Sequence, residues 1–350
     1  ALQKWDDKKV VARDPNTLEK YRTMLSDQIQ YFKVTQYFFF KQWGELKHYA
    51  NQKGIQIIGD MPIYVAADSV EVWTKPELFQ LDKERNPLFV AGVPADQFSA
   101  TGQLWGNPLY DWEVHKKQGY TWWIHRIEES FKIYDVLRID HFKGFSDYWQ
   151  VDGKAEVAKD GSWQPGPGYD LFKAVKEQLG DLPIIAEDLG NIDDKARKLL
   201  ADCHYPGMKI LQFGFEDVSG KSLDSPHYCI PHSIVYTGTH DNDVTNGWYN
   251  SLTEQQQQYI NDYTHRREDE SICQAMIRQL FATVSNTAIA TMQDVLDLPA
   301  SSRMNVPSTI GGNWQWRMQQ SDLTQDKKDF LAKMTTLYQR VNQEKHNDEI

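Results

Sequence analysis

Three carboxylates each follow a short apolar run, and their placement is the strongest indication of chemistry in the chain. Asp140 ends the apolar part of the run 136–141, Glu187 closes that of the run 183–188, and Asp241 lies just past the run 234–240. Barrel enzymes place their chemistry at the carboxyl ends of the strands, where such side chains meet. Because one carboxylate can act as a nucleophile and another as a general acid/base at a sugar's anomeric carbon, the pattern predicts a barrel-type glycosidase site.

Each carboxylate taken alone has an ordinary structural explanation. An Asp or Glu after a strand commonly caps a helix or lies in a loop. His141 and His240, which flank two of the carboxylates, could be polar residues near the surface. The combination of the three positions favours the catalytic interpretation.

The elements that must position these residues alternate between strands and helices. Six strands are predicted, at 55–60, 136–140, 183–187, 208–213, 233–237 and 287–292. Helices are predicted at 17–50 (one or two), 119–134, 169–179, 191–200, 254–283 and in the tail after 330. Segments rich in Pro, Gly and Asn, near 68–112 and 161–168, are predicted loops. Short apolar strands that alternate with helices favour an α/β fold with a parallel sheet.

Composition excludes several classes of protein. The net charge of -11, from 38 basic and 49 acidic residues without a basic block, argues against nucleic acid or an anionic membrane as a partner. Cys203, Cys229 and Cys273 are too few and too scattered for a disulfide framework or a zinc site, and no His/Cys/carboxylate cluster has the spacing of metal ligands. No apolar run approaches the roughly 18 residues of a membrane span. We therefore expect a soluble, cytoplasmic protein without a metal.

The motifs around the carboxylates also resemble a known superfamily. The segments 138–141, 186–188 and 240–242 resemble, in order, the strand-four, strand-five and strand-seven motifs of the α-amylase superfamily, and 58–65 takes the strand-three position. The blocks 36–43, 102–110 and 205–209 narrow the resemblance to the 4-α-glucanotransferases of glycoside hydrolase family 77. The resemblance runs from about Val10 to Arg317. It implies a TIM (β/α)8 barrel with substrate-binding loop insertions at 61–112 and 150–170.

The resemblance also implies roles for the three carboxylates. Asp140 would be the nucleophile, Glu187 the acid/base, and Asp241 the residue that holds sugar hydroxyls and stabilises the distorted ring. Arg138 lies two residues before Asp140 on the same strand, so both side chains point to one face. Its guanidinium favours the ionised Asp140 that a nucleophile requires. Glu187 must instead begin protonated, which requires a raised pKa.

Further residues would contact the sugar. By the resemblance these are Asp60, Tyr64, Phe98, Trp105, Arg138, His141 and His240. A structural ion pair is the alternative for Arg138, and loop packing is the alternative for Phe98 and Trp105. Position 97 carries Gln where some relatives carry Tyr, so no aromatic contact is expected there.

The implied activity is transfer of an α-1,4-glucan segment to the 4-hydroxyl of an acceptor sugar, without a cofactor. Two alternatives remain open at this point. One is a retaining α-glucan hydrolase of the same superfamily, and the other is a non-catalytic glucan-binding protein.

The strand count leads to one more expectation. By the resemblance, the six predicted strands correspond to strands three to eight, and six strands cannot close an eight-stranded barrel. The strands at 55–60 and 287–292 would then present unpaired edges, which favours aggregation. We therefore expect the chain to lack an N-terminal segment of the same protein, and to be inactive or poorly soluble without it.

Overall fold

The computed structural model describes residues 2–95, 101–190 and 192–341. The chain forms two compact units, Ala1–Tyr205 and Pro206–Ile350. Both contain α-helices and parallel β-strands, so the α/β class is confirmed.

The first unit begins with helices and then alternates strands with helices. Its α-helices are α1 (Lys8–Val11), α2 (Pro15–Met24), α3 (Ser26–Gln52), α4 (Val70–Thr74), α5 (Trp112–Lys117), α6 (Thr121–Ile133), α7 (Tyr169–Leu179) and α8 (Asp194–Cys203). Its strands are β1 (Ile58–Met61), β2 (Phe89–Val93), β3 (Gln103–Pro108), β4 (Val136–Ile139), β5 (Asp147–Asp152), β6 (Ser162–Pro165) and β7 (Ile184–Ala186). Short 3₁₀ helices lie at Leu2–Lys4, Pro76–Leu78 and Phe142–Phe145.

A parallel sheet in the order β1-β4-β7 carries the candidate site. Asp60 pairs with Arg138 across the sheet, and Arg138 pairs with Ile185. Leu137 and Ile139 of the central strand are fully buried. Burying a large apolar side chain contributes about 1.5–3 kcal/mol, and the carboxyl ends of the three strands share one edge of this sheet.

Helices α6 and α7 supply much of the core around that sheet. On α7 the buried residues are Leu171, Phe172 and Val175, which form one helical face. On α6 they include Trp123 and Ile127, both fully buried.

A second sheet in this unit is antiparallel, in the order β3-β2-β5-β6. It was not predicted, because its strands lie in or beside segments whose composition indicates loops. Val90, Val151 and Ala158 form its small apolar cluster. Gly92 permits the close pairing of β2 with β3, since a Cβ there would lie only 2.5 Å from the Gln103 carbonyl oxygen.

The second unit is also α/β. Its strands are β8 (Gly207–Ile210), β9 (Ser233–Tyr236) and β10 (Thr287–Ile289), which form a parallel sheet in the order β10-β9-β8. Its α-helices are α9 (Leu211–Glu216), α10 (Thr245–Ser251), α11 (Glu254–Thr264), α12 (Ile272–Ala282), α13 (Met292–Val295) and α14 (Gln325–Leu337). Its 3₁₀ helices are Pro226–Tyr228, Ala300–Ser302 and Gln320–Asp322. Val235 of β9 packs in a core with Phe215, Ile260 and Met276.

A strand lies within or overlaps each of the six predicted segments, but the predicted count was wrong. The antiparallel sheet adds four strands, so the described residues contain ten. The prediction for 208–213 was wrong after Ile210, because Leu211 begins α9. Within Leu2–Gln52 the structure places helices and no strand. Pairing gives two three-stranded parallel sheets, so the eight-stranded barrel and the segment that would complete it stay predictions.

Among the helices that the structure describes, none has both the length and the apolar composition to cross a membrane.

Candidate active site

Arg138 joins two of the predicted site carboxylates on neighbouring strands. Its Nη1 donates to both carboxylate oxygens of Asp60 at 2.6 Å and to Asp140 Oδ1 at 2.9 Å. The guanidinium is buried, whereas Asp60 and Asp140 each keep about two fifths of the side chain exposed, at 39% and 40%. Burial alone would lower the pKa of Arg138, but the charges of Asp60 and Asp140 outweigh it and raise that pKa. Asp140 is therefore paired and also open to solvent.

Glu187 is held by two backbone donors from different loops. Leu189 N donates to its Oε1 at 2.7 Å, and His141 N donates to its Oε2 at 2.8 Å. His141 has a left-handed backbone (φ 49°), an uncommon state for a residue with a side chain, and it directs this N–H at the carboxyl group. The main chains are joined as well, because Phe142 N donates to the Glu187 carbonyl oxygen at 3.0 Å.

The environment of Glu187 favours its protonated form. Burial first, and then the negative charge of Asp140, raise the pKa of Glu187 from 4.5 to about 7, against the opposing effects of Arg138 and the two backbone donors. About half of the Glu187 carboxyl groups are thus protonated at pH 7, beside a carboxylate that Arg138 pairs.

Aromatic rings lie beside His141, the residue that follows Asp140 and donates to Glu187. The Trp105 ring meets the His141 ring edge-on with centroids 4.9 Å apart, and Tyr64 lies 6.2 Å from Trp105. Trp105 keeps 37% of its surface exposed, and Tyr64 is buried. Burial lowers the pKa of His141 to about 4, so its imidazole is neutral at physiological pH. Trp105 therefore presents part of its ring surface to solvent beside His141.

In the second unit, Asp241 is held by two neighbours. Asn305 Nδ2 donates to its Oδ1 at 2.7 Å, and Arg303 Nη2 donates to its carbonyl oxygen at 2.6 Å. His240 Nε2 lies 3.3 Å from Asp241 Oδ2, and the His240 ring packs against Trp314 with centroids 5.0 Å apart. These contacts fix the side chain and the backbone of Asp241 together.

Phe98, the remaining predicted site residue, lies outside the described residues. The other predicted residues of the first unit form two series of contacts, one from Asp60 through Arg138 to Asp140 and one from Glu187 through His141 to Trp105 and Tyr64. The charge of Asp140 acts on Glu187 and so links the two series.

The comparisons with known proteins agree on one family. The 4-α-glucanotransferase model of glycoside hydrolase family 77 matches residues 1–324. The chain belongs to this family. A 4-α-glucanotransferase of Streptococcus pneumoniae is 52% identical over 344 residues, which cover 98% of this chain and 68% of that protein. One of Clostridium butyricum is 43% identical over 95% of this chain and 69% of that protein.

A solved structure gives the same result. The chain resembles an amylomaltase of Streptococcus agalactiae, solved in complex with acarbose, with a TM-score of 0.96 and 59% identity. That match covers 98% of this chain and 69% of the amylomaltase. This member of the 4-α-glucanotransferase family is accordingly an enzyme of carbohydrate metabolism that transfers glucan segments.

Sequence reasoning missed Asp294, which supports the Asp241 segment of this glucanotransferase. Its carboxylate is buried and accepts from Thr237 Oγ1 at 2.6 Å, from Thr245 N at 2.8 Å and from Thr245 Oγ1 at 2.9 Å. Thr237 and Thr245 lie on either side of Asp241 in the sequence. Asp294 therefore holds both ends of the segment that carries Asp241, and no local pattern indicates contacts between residues 49 and 57 positions apart.

The expectation that no residues have metal-ligand spacing needs one correction. His125, Glu128 and Glu129 on α6 bring their ligand atoms within 4.8 Å of one another. All three lie at the surface or near it, and their spacing of three and four residues along α6 accounts for their proximity, with His125 Nδ1 3.8 Å from Glu128 and 3.7 Å from Glu129. We assign no metal to this group.

Proposed function

We propose that this glucanotransferase acts by a retaining double displacement, with Asp140 as the nucleophile and Glu187 as the acid/base. The observation that carries the proposal is the raised pKa of Glu187, about 7, beside an Asp140 that Arg138 pairs. A retaining reaction requires this division, with one carboxyl ionised to attack and the other protonated to release the leaving group.

In the first step a carboxylate oxygen of Asp140 bonds to the anomeric carbon of the donor as the glycosidic bond breaks. The proton of Glu187 passes to the departing oxygen. In the second step the 4-hydroxyl of an acceptor attacks the same carbon, its proton passes to Glu187, and the bond to Asp140 breaks. Asp241, held by Asn305, binds hydroxyls of the reacting ring, and His240, His141 and Asp60 add sugar contacts.

Transfer requires an acceptor sugar to compete with water. Water is present at about 50 M, but an oriented hydroxyl reaches effective molarities of about 10⁵ M or more. Trp105 and Tyr64, together with Phe98, would bind sugar rings through the apolar faces of their aromatic side chains. The acarbose complex of the similar amylomaltase supports a sugar-binding site of this kind.

The proposal includes an architecture and a compartment. The chain would supply strands three to eight of a (β/α)8 barrel, with 61–112 and 150–170 as its substrate-binding insertions. The scattered cysteines fit a reducing compartment, and we infer that the enzyme is cytoplasmic.

Product analysis tests the proposal. The full protein that carries this sequence, given maltotriose, should form glucose together with longer maltodextrins. Asp140→Asn should reduce this activity by a factor of about 10⁴ or more and leave the fold intact. Glu177→Gln, at an exposed position on α7, is a matched control that should keep full activity. Glucose and maltose without longer products would indicate a hydrolase, and an active Asp140→Asn would exclude Asp140 as the nucleophile.

A further inference from the structure

We propose that Lys143 is a positioning residue, which ties the loop after Asp140 to the loop after Glu187 and so sets the separation of the two carboxylates. The inference rests on the proposed roles of Asp140 and Glu187. It adds a residue that contacts neither the reacting atoms nor the sugar.

The contacts of Lys143 span three parts of the first unit. Its Nζ donates to Asp193 Oδ2 at 2.7 Å and lies 3.3 Å from Asp147 Oδ1, outside hydrogen-bond alignment with it. The ammonium also lies 4.6 Å from the centre of the Trp163 ring. Only 12% of the Lys143 side chain is exposed. An ammonium enclosed in this way has a restricted position, unlike a lysine at the surface.

The ion pair between Lys143 and Asp193 joins positions that closely follow the two carboxylates in the sequence. Lys143 is three residues after Asp140, and Asp193 is six residues after Glu187. Asp193 is itself fixed, because its Oδ1 accepts from Ala196 N at 2.9 Å and caps α8. The ion pair therefore connects the segment after the nucleophile to a helix that follows the acid/base.

The tie has a mechanical consequence. Asp140 and Glu187 repel each other when both are ionised. Backbone hydrogen bonds from His141 and Phe142 to Glu187 join the two loops at one point, and the ion pair holds them at a second point, beyond the carboxylates. A displacement of about 1 Å at a reacting centre can lower the rate by about a hundredfold. Near a separation of about 5 Å, with an effective dielectric constant of about 20, each added ångström would lower the pKa of Glu187 by roughly 0.4 units.

Two substitutions break the tie with opposite changes of charge. Lys143→Met removes a positive charge, and Asp193→Ser removes a negative charge while serine still caps α8. Lys143→Arg keeps the charge and the reach. Because Lys143→Met leaves Asp147 with neither a cation nor a hydrogen-bond donor and could impair folding, Lys143→Gln, whose amide N–H can still donate to Asp147, serves as the second variant at this position.

The experiment measures kcat, KM and the pH profile of kcat/KM for transfer from maltotriose in the full protein. The basic limb of the profile reports the ionisation of Glu187. The charged groups around Glu187 are Arg138 on β4 and Asp140 after it, with Asp60 beyond them on β1. His141, beside Glu187, is neutral. We expect kcat to fall roughly tenfold or more in both tie-breaking variants. The limb should move to lower pH in both, by several tenths of a unit, and Lys143→Arg should resemble the wild type.

Other results would overturn the inference. If Lys143 and Asp193 acted on Glu187 only through their charges, the limb would move to higher pH without the lysine and to lower pH without the aspartate. A lower melting temperature with an unmoved limb would make the ion pair merely structural. Asp140→Asn is assayed in parallel to distinguish these results from a failure of the proposed function. If the proposed function is wrong, the Asp140→Asn variant will remain active.

Discussion

The substitution Glu187→Gln should remove part of the pH dependence of the free energy of unfolding. Glu187 has a higher pKa in the folded enzyme, about 7, than its ordinary value of 4.5. Between these pH values the folded state binds more protons than the unfolded state, so the free energy of unfolding falls as pH rises. The stabilisation is fully present below pH 4.5 and is lost as pH rises through 7. Glutamine carries no such proton, and its variant should lack this loss.

The size of the effect follows from the two pKa values. At about 1.36 kcal/mol per pKa unit, a rise of about 2.5 units corresponds to about 3.4 kcal/mol at high pH. Between pH 5 and pH 8 the change is about 2.5 kcal/mol, an upper value because solvent reaches part of the side chain. Glutamine has one carbonyl oxygen for the N–H groups of Leu189 and His141, which costs about 1–3 kcal/mol at every pH. Because this cost is the same at every pH, it drops out when the free energies of unfolding at pH 5 and pH 8 are subtracted.

Urea unfolding followed by tryptophan fluorescence, at several pH values from 5 to 8, measures the difference between wild type and variant. We expect Glu187→Gln to gain up to about 2.5 kcal/mol relative to the wild type as pH rises. Glu177→Gln, which changes an exposed carboxyl group, should show no comparable trend. A difference that stays constant within about 0.5 kcal/mol would refute the raised pKa of Glu187.

Three further predictions concern other parts of the chain. Arg138→Met should lower kcat about a hundredfold because it leaves Asp140 without its cation, whereas unchanged initial rates would contradict the pairing. Asp294→Ala should cost on the order of 3 kcal/mol in urea unfolding because three buried donors lose their acceptor, and Asp294→Asn should cost less. Tyr31 and Phe38, which are 65% and 50% exposed on one face of α3, should promote self-association of the chain. Replacing both with Ser should reduce the association in sedimentation velocity, and equal association would contradict this.

The sequence was sufficient to predict the strands that carry the carboxylates. Glu187 follows a run that is apolar throughout, and Asp140 follows one that only Arg138 interrupts. Such runs are typical of strands buried on both faces. The limit of this reasoning appears at Leu211, where the apolar run continues but α9 begins. An uninterrupted apolar run has no periodicity that separates a strand from a buried helix.

The antiparallel sheet and the support of the site were beyond prediction for a different reason. β2 and β5 pair over about sixty residues of sequence, and their Gly and Pro neighbours indicate loops rather than strands. The ties from Lys143 to Asp193 and from Asp294 to Thr237 likewise join residues 50 and 57 positions apart. Only the folded chain brings such residues together, so their local sequences carry no signal of the contact.

Identification of the covalent intermediate tests the central claim most directly. Glu187→Gln in the full protein should react with α-maltosyl fluoride, because fluoride leaves without a proton, and should then release the glycosyl group slowly. Mass spectrometry of a proteolytic digest should find a maltosyl adduct on the peptide that contains Asp140, and none when Asp140→Asn is added. An adduct on another residue, or fluoride release with an inverted product and no adduct, would contradict the assignment of Asp140 as the nucleophile.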